Sequence, residues 1–161
     1  MIMDKYLDEL KNKIIAEIDV SNIENIIKEN DDILELNELL NQYNKLDDGM
    51  KRVYQLGLQV REFKTVNEMT KLFELLPNIC VANGIRNEKE LGHFVVENEL
   101  FSVDFNEDVL PFLDYEKVGE YYLKTNLGKI IDGVYVEDTS SQTDWSINES
   151  IDETNKQDFS M

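Results

Sequence analysis

The chain has 161 residues, 42% of them apolar, and 34 acidic side chains against 16 basic ones leave a net charge of −18. That apolar content supports a folded core in one domain or two small ones, whereas the charge repels DNA, RNA and anionic membrane surfaces and favours a basic partner. No apolar run approaches the ~20 residues of a membrane span, and the opening MIMDKYLDELKNK lacks a hydrophobic leader core, so a cytoplasmic protein is expected.

In chain order, Leu7, Leu10, Ile14, Ile15 and Ile18 recur at three- and four-residue spacing and predict a helix over Asp4 to Ile18. Ser21 with Glu24 three positions later reads as a capping box for a short helix carrying Ile23, Ile26 and Ile27. Leu34, Leu36, Leu39, Leu40, Tyr43 and Leu46 predict a third helix closed by the turn-prone Asp47-Asp48-Gly49, and Met50 to Leu58 a fourth with Gly57 near its close. Thr65 and Glu68 form a second capping box ahead of Met69, Leu72, Phe73, Leu75 and Leu76, and Pro77 stops that helix.

The run Asn78 to Ala82 predicts a strand reaching Asn83-Gly84. Leu91, Phe94, Val95 and Leu100 place a helix over Glu88 to Leu100, a further helix follows over Asp114 to Leu123, and Gly128 to Val136 alternates as a strand or hairpin. From Thr139 to Met161 the chain is polar with isolated Trp145, Ile147, Ile151 and Phe159, and a disordered tail is expected. The fold class is therefore α+β, mainly helical, built of small helical domains with short strands. The expected divisions are 1–29, 30–86, 87–138 and a tail at 139–161.

Motifs for catalysis are sparse. There is one histidine, His93, and one cysteine, Cys80, with no Gly-rich phosphate loop and no His or Cys cluster. Between Ile79 and Val81 the cysteine reads as a small buried hydrophobe, and a Cys80–His93 nucleophilic pair is the less favoured reading. Asp31-Asp32, Asp47-Asp48 and Glu107-Asp108 do not have EF-hand spacing, so solvated surface is favoured over a metal site. No catalytic residue, metal or cofactor is assigned, and a binding protein is expected rather than an enzyme.

The charge is uneven. Residues 1–50 hold thirteen acids and five bases, residues 51–100 seven of each, and residues 101–161 fourteen acids and four bases. Between Glu88 and Glu137 twelve acids face four lysines: Glu88, Glu90, Glu97, Glu99, Asp104, Glu107, Asp108, Asp114, Glu116, Glu120, Asp132 and Glu137. Acids three or four apart on a helix lie on one face, as Glu116 and Glu120 do, and Glu90 and Glu97 two turns apart. Such rows are comparable with the phosphates of duplex DNA, spaced about 1.7 Å along the axis, and these twelve acids form the candidate surface. The aromatics Phe94, Phe101, Phe105, Phe112, Tyr115, Tyr121, Tyr122 and Tyr135 lie among carboxylates and are assigned to core packing, since a base-stacking platform needs Lys and Arg beside it.

The ordered string Glu90-Leu91-Gly92, Leu110-Pro111-Phe112-Leu113, Asp114-Tyr115-Glu116 with Gly119-Glu120, and Gly133-Val134-Tyr135-Val136-Glu137 resembles the carboxy-terminal region of the ArdA antirestriction family. The helices at 34–46, 50–57 and 65–76 look like the middle domain of that family. The resemblance spans roughly residues 30–138 and is strongest from Glu88 onward. It implies an elongated acidic dimer that mimics bent DNA and occupies the DNA groove of a type I restriction-modification enzyme on behalf of a phage, plasmid or conjugative element. The family's β-rich amino-terminal domain is not recognisable in residues 1–29. Two alternatives stand beside this one: an anti-CRISPR protein that blocks the DNA-binding surface of a Cas effector, and an acidic adaptor for another basic protein. A metal-dependent enzyme is a third class, distinguished by sensitivity to one or two carboxylates rather than many.

Overall fold

The computed structural model describes residues 2–20, 23–100 and 106–140. Seven α-helices and a three-stranded antiparallel sheet occur within them: α1 Ile2–Ile18, α2 Glu24–Glu29, α3 Ile33–Asn44, α4 Asp48–Val60, α5 Val66–Leu75, β1 Ile79–Asn83, α6 Glu88–Glu97, α7 Tyr115–Thr125, β2 Gly128–Ile131 and β3 Val134–Asp138. The α+β, mainly helical class follows. Ser21, Phe101, Asp104 and Phe105, and the tail beyond residue 140, lie outside the described residues. No helix among the described residues is long and apolar enough to cross a membrane.

The chain forms two compact units and passes between them within α4, after Gln55, and again after Glu62, Asn78 and Thr139. The first unit holds α1, α2, α3, the first part of α4, and α5. Its core is the set of apolar stripes anticipated from spacing: Leu10, Ile14 and Ile18 of α1, Ile27 of α2, Leu36, Leu39 and Tyr43 of α3, and Met69 and Leu72 of α5 are all buried. Leu34 departs from that expectation and is 80% exposed. At 100° per residue, its place two before Leu36 turns it to the face opposite the buried stripe. Tyr54 is fully buried, stacks on Phe73 with ring centroids 4.3 Å apart, and donates its hydroxyl to the Met69 carbonyl at 2.8 Å. Lys11 is buried too, and its Nζ donates to the Lys28 carbonyl at 2.8 Å and to Asp31 Oδ1 at 2.9 Å.

Helix boundaries follow local hydrogen-bonding chemistry. The Thr65 and Glu68 capping box forms as expected, and Asp32 caps α3 by accepting from Leu34 N at 3.0 Å and Glu35 N at 3.2 Å. The Asp47-Asp48-Gly49 run, expected to close the third helix, instead opens the next one. Asp47 Oδ1 accepts from Met50 N at 2.8 Å, which places Asp48 and Gly49 in the first turn of α4. Gly57 is correspondingly buried within α4 instead of ending it.

The second unit comprises Leu56–Glu62 and Ile79–Thr139. Its strand order is β1-β3-β2, with both pairings antiparallel. Asp132 and Gly133 link β2 to β3 as a two-residue hairpin, both with positive φ at 48° and 81°, the type I′ pattern for which Asp-Gly is suited. The Gly133 carbonyl accepts from Gly84 N at 2.9 Å and Ile85 N at 3.1 Å, tying the end of β1 to the hairpin. Helices α6 and α7 cover one face of the sheet through Leu91, Val95 and Tyr122, which cluster with Ile85 and Tyr135, while Ala82 and Ile130 pack at the margin. By pairing, β1 belongs with this unit and not with the helices that precede it.

Candidate functional site

Helices α6 and α7, which carry five of the twelve candidate acids, approach each other at backbone distance. A Cβ at Gly92 would overlap the carbonyl of Tyr115, and a Cβ at Gly119 would overlap the carbonyl of Glu88. The contact is reciprocal, each helix presenting a glycine to the first turn of the other. Asn87 caps α6 by accepting from Glu90 N at 2.9 Å, and Asp114 caps α7 by accepting from Lys117 N at 3.2 Å. The acidic side chains of these helices thus project from a fixed scaffold.

The twelve candidate acids separate by what they do locally. Glu97, Glu99, Glu107, Asp108, Asp114, Glu116, Glu120 and Asp132 are exposed. Glu116 and Glu120 stand one turn apart on α7, whereas Asp132 sits at the hairpin turn. Glu88 is half-buried, and Asp104 lies outside the described residues. Glu90 is already occupied: it accepts from Arg86 N at 2.8 Å, Arg86 Nε at 3.1 Å and Arg86 Nη2 at 2.6 Å, and these bonds hold its carboxyl down at about 2. Glu137 is half-buried and accepts the Tyr135 hydroxyl at 2.6 Å. The exposed bases Lys89, Lys117 and Lys124 interleave with the acids on the same two helices.

The aromatic residues also divide. Tyr122 and Tyr135 are buried with ring centroids 5.9 Å apart, and Phe94 packs at the core margin, in keeping with a packing role. Burial first, and then the Glu137 carboxylate, push the Tyr122 hydroxyl up to about 12 and raise Tyr135 as well. Phe112 and Tyr121 correct the core assignment, being 86% and 59% exposed. Phe112 rides on a 3₁₀ turn, Leu110–Phe112, with Pro111 inside it. Sequence reasoning missed its exposure because Leu-Pro-Phe-Leu reads as an apolar run; the signal was Pro111, which favours a tight turn over a helix or central strand.

Beside this turn is an open cleft of about 660 Å³ lined by Lys89, His93, Pro111, Leu113, Asp114, Tyr115 and Glu116. His93 stacks on Tyr115 with centroids 3.7 Å apart. Cys80 is exposed, which corrects its reading as a buried hydrophobe. Desolvation of its surroundings and the nearby Glu137 and Asp138 carboxylates raise its thiol, the opposite of what activates a nucleophile. No group of three or more His, Cys, Asp or Glu side chains among the described residues is placed to hold a metal ion. The chain matches no family model, no curated protein and no solved structure.

Proposed function

We propose that this chain is an ArdA-like DNA mimic that inhibits a DNA-binding defence enzyme in the bacterial cytoplasm by occupying its DNA groove, a type I restriction-modification enzyme being the first target to test. The observation that carries the reading is the set of exposed carboxylates on the α6–α7 pair and its following turns. Glu97, Glu116 and Glu120 project from helices locked by reciprocal glycine contacts, and Glu107, Asp108 and Asp114 lie between those helices in sequence. Rigid anionic groups at this density offer a cationic groove the pairing that phosphates offer, without a chain-ordering penalty on binding. The resemblance of the Glu90-Leu91-Gly92 and Asp114-Tyr115-Glu116 strings to the ArdA family adds independent support. In that string, Gly92 and Gly119 occupy positions where any side chain would overlap backbone.

Inhibition should be competitive with DNA. The test is cleavage or methylation by a purified type I enzyme at increasing duplex concentration in the presence of this protein. A rising apparent inhibition constant supports the mimic, and inhibition that duplex does not relieve rejects it in favour of an adaptor that binds elsewhere.

A further inference from the structure

We infer that Phe112 is the apolar anchor by which this surface seats in the basic groove of its target, an inference that rests on the DNA-mimic reading. Phe112 is 86% exposed, yet the turn that presents it is braced. Phe112 N donates to the Val109 carbonyl at 2.9 Å, Leu113 N to the Leu110 carbonyl at 3.2 Å, and the Tyr115 hydroxyl to the same Leu110 carbonyl at 3.2 Å. Pro111 removes further freedom from the loop. A large ring carried on a braced backbone loses less entropy on contact than one on a free loop, a property that suits an interface anchor.

Charge complementarity selects the occupant. Glu107, Asp108, Asp114 and Glu116 flank Phe112 in sequence, and no basic residue occurs from Asn106 to Glu116. The same face of a second copy would set these four carboxylates against four more and is repelled, which leaves other faces free for self-association. Residues 141–161 hold five acids and one lysine, a charge that does not complement this face. A basic surface with an apolar recess meets both features. The neighbouring cleft repeats the combination: the stacked rings of His93 and Tyr115 form its apolar wall, the Asp114 and Glu116 carboxylates lie beside them, and Lys89 is the one cation among its lining residues.

The test uses a purified type I restriction-modification methyltransferase and a fluorescent duplex carrying its recognition sequence, with inhibition constants measured at low and high salt. Phe112→Ala is expected to weaken inhibition about tenfold or more, by a similar factor at both salt concentrations, because an apolar contact is not screened. Phe112→Leu should recover most of the loss. Thermal unfolding of both variants should match the parent chain. A Phe112→Ala protein that inhibits like the parent overturns the anchor and leaves the mimic standing; a parent chain that does not compete with duplex overturns both. A lowered unfolding midpoint for Phe112→Ala would show that the ring packs on its own chain, and conversion of a dimer to a monomer would show that it packs on a second copy; either result overturns the inference.

Discussion

Arg61 Nε donates to Asp138 Oδ2 at 2.9 Å, joining residues 77 apart in sequence, and the Asp138 side chain has no exposed surface. The pair ties the end of β3 to the segment just after α4, and Asp138 N also donates to the Leu127 carbonyl at 2.9 Å. A carboxylate in that position is tolerated because a guanidinium meets it. Arg61→Ala leaves the buried carboxylate in place and removes the guanidinium that meets it, so a loss of up to about 3–5 kcal/mol is expected, with a smaller loss for Asp138→Asn. Chemical denaturation of the two variants measures the difference, and equal, small losses would show that the pair contributes little.

Gly92→Ala tests the helix crossing. In an exposed helix the change would gain up to about 1 kcal/mol from propensity. Here the added methyl meets the Tyr115 carbonyl, and backbone cannot rotate away as a side chain can. Overpacking of this kind costs about 1–3 kcal/mol and occasionally more, so net destabilisation is expected, and Gly119→Ala should behave alike. A raised melting temperature for either would contradict the crossing.

Individual acids should matter little and together a good deal. One exposed charge contributes about 0.2–1 kcal/mol, so Glu116→Gln alone should change inhibition less than fivefold, whereas Asp114→Asn, Glu116→Gln and Glu120→Gln combined should weaken it about tenfold. Asparagine keeps the cap on α7, which separates loss of charge from loss of fold. The slope of log affinity against log salt should be negative but shallower than for duplex DNA on the same enzyme, since folded carboxylates condense fewer counterions. Abolition of activity by one substitution in a folded protein would favour catalysis or a metal site.

Two pH effects of opposite sign are expected. The folded Tyr122 hydroxyl titrates at about 12, above its ordinary value near 10, so its contribution to stability is complete below about pH 10 and is lost as pH rises toward 12. Tyrosinate absorbance should show this step, and Tyr122→Phe should remove it. Glu137→Gln should lower the step only partly, because burial is the larger cause. At the acid end, the folded Glu90 carboxyl at about 2 contributes stability above its ordinary range near 4.5, lost as pH falls toward 2. Arg86→Gln should flatten that acid limb.

We expect a homodimer, with the helices of residues 4–46 or a sheet edge as its contact. The strand at Val134 is excluded as an edge because β3 is paired on both sides, leaving β1 and β2 as the outer strands. Light scattering at micromolar concentration should give twice the chain mass; the mass of one chain would remove the expectation and shorten the footprint on the target.

Most of the secondary structure was legible because the helices bury apolar stripes and several of them start on a short polar residue, α2 with Ile23 at its N-cap being an exception. Thr65 is read directly from its spacing to Glu68, whereas Asn87 and Asp114 emerge as caps only through their bonds to Glu90 N and Lys117 N, and Asp132-Gly133 fixes its hairpin through backbone conformation alone. Those signals are local. What pairs with β1 is decided 50 residues later by Val134 to Asp138, and no local pattern contains that choice. The candidate acids show the same division. Composition determined that residues 88–137 are acidic, but only packing decided that Arg86 occupies Glu90, that Glu137 receives the Tyr135 hydroxyl, and that Phe112 stays outside the core. Propensity acts through each residue's own neighbours in the chain, whereas burial and ion pairing depend on residues that only folding brings near.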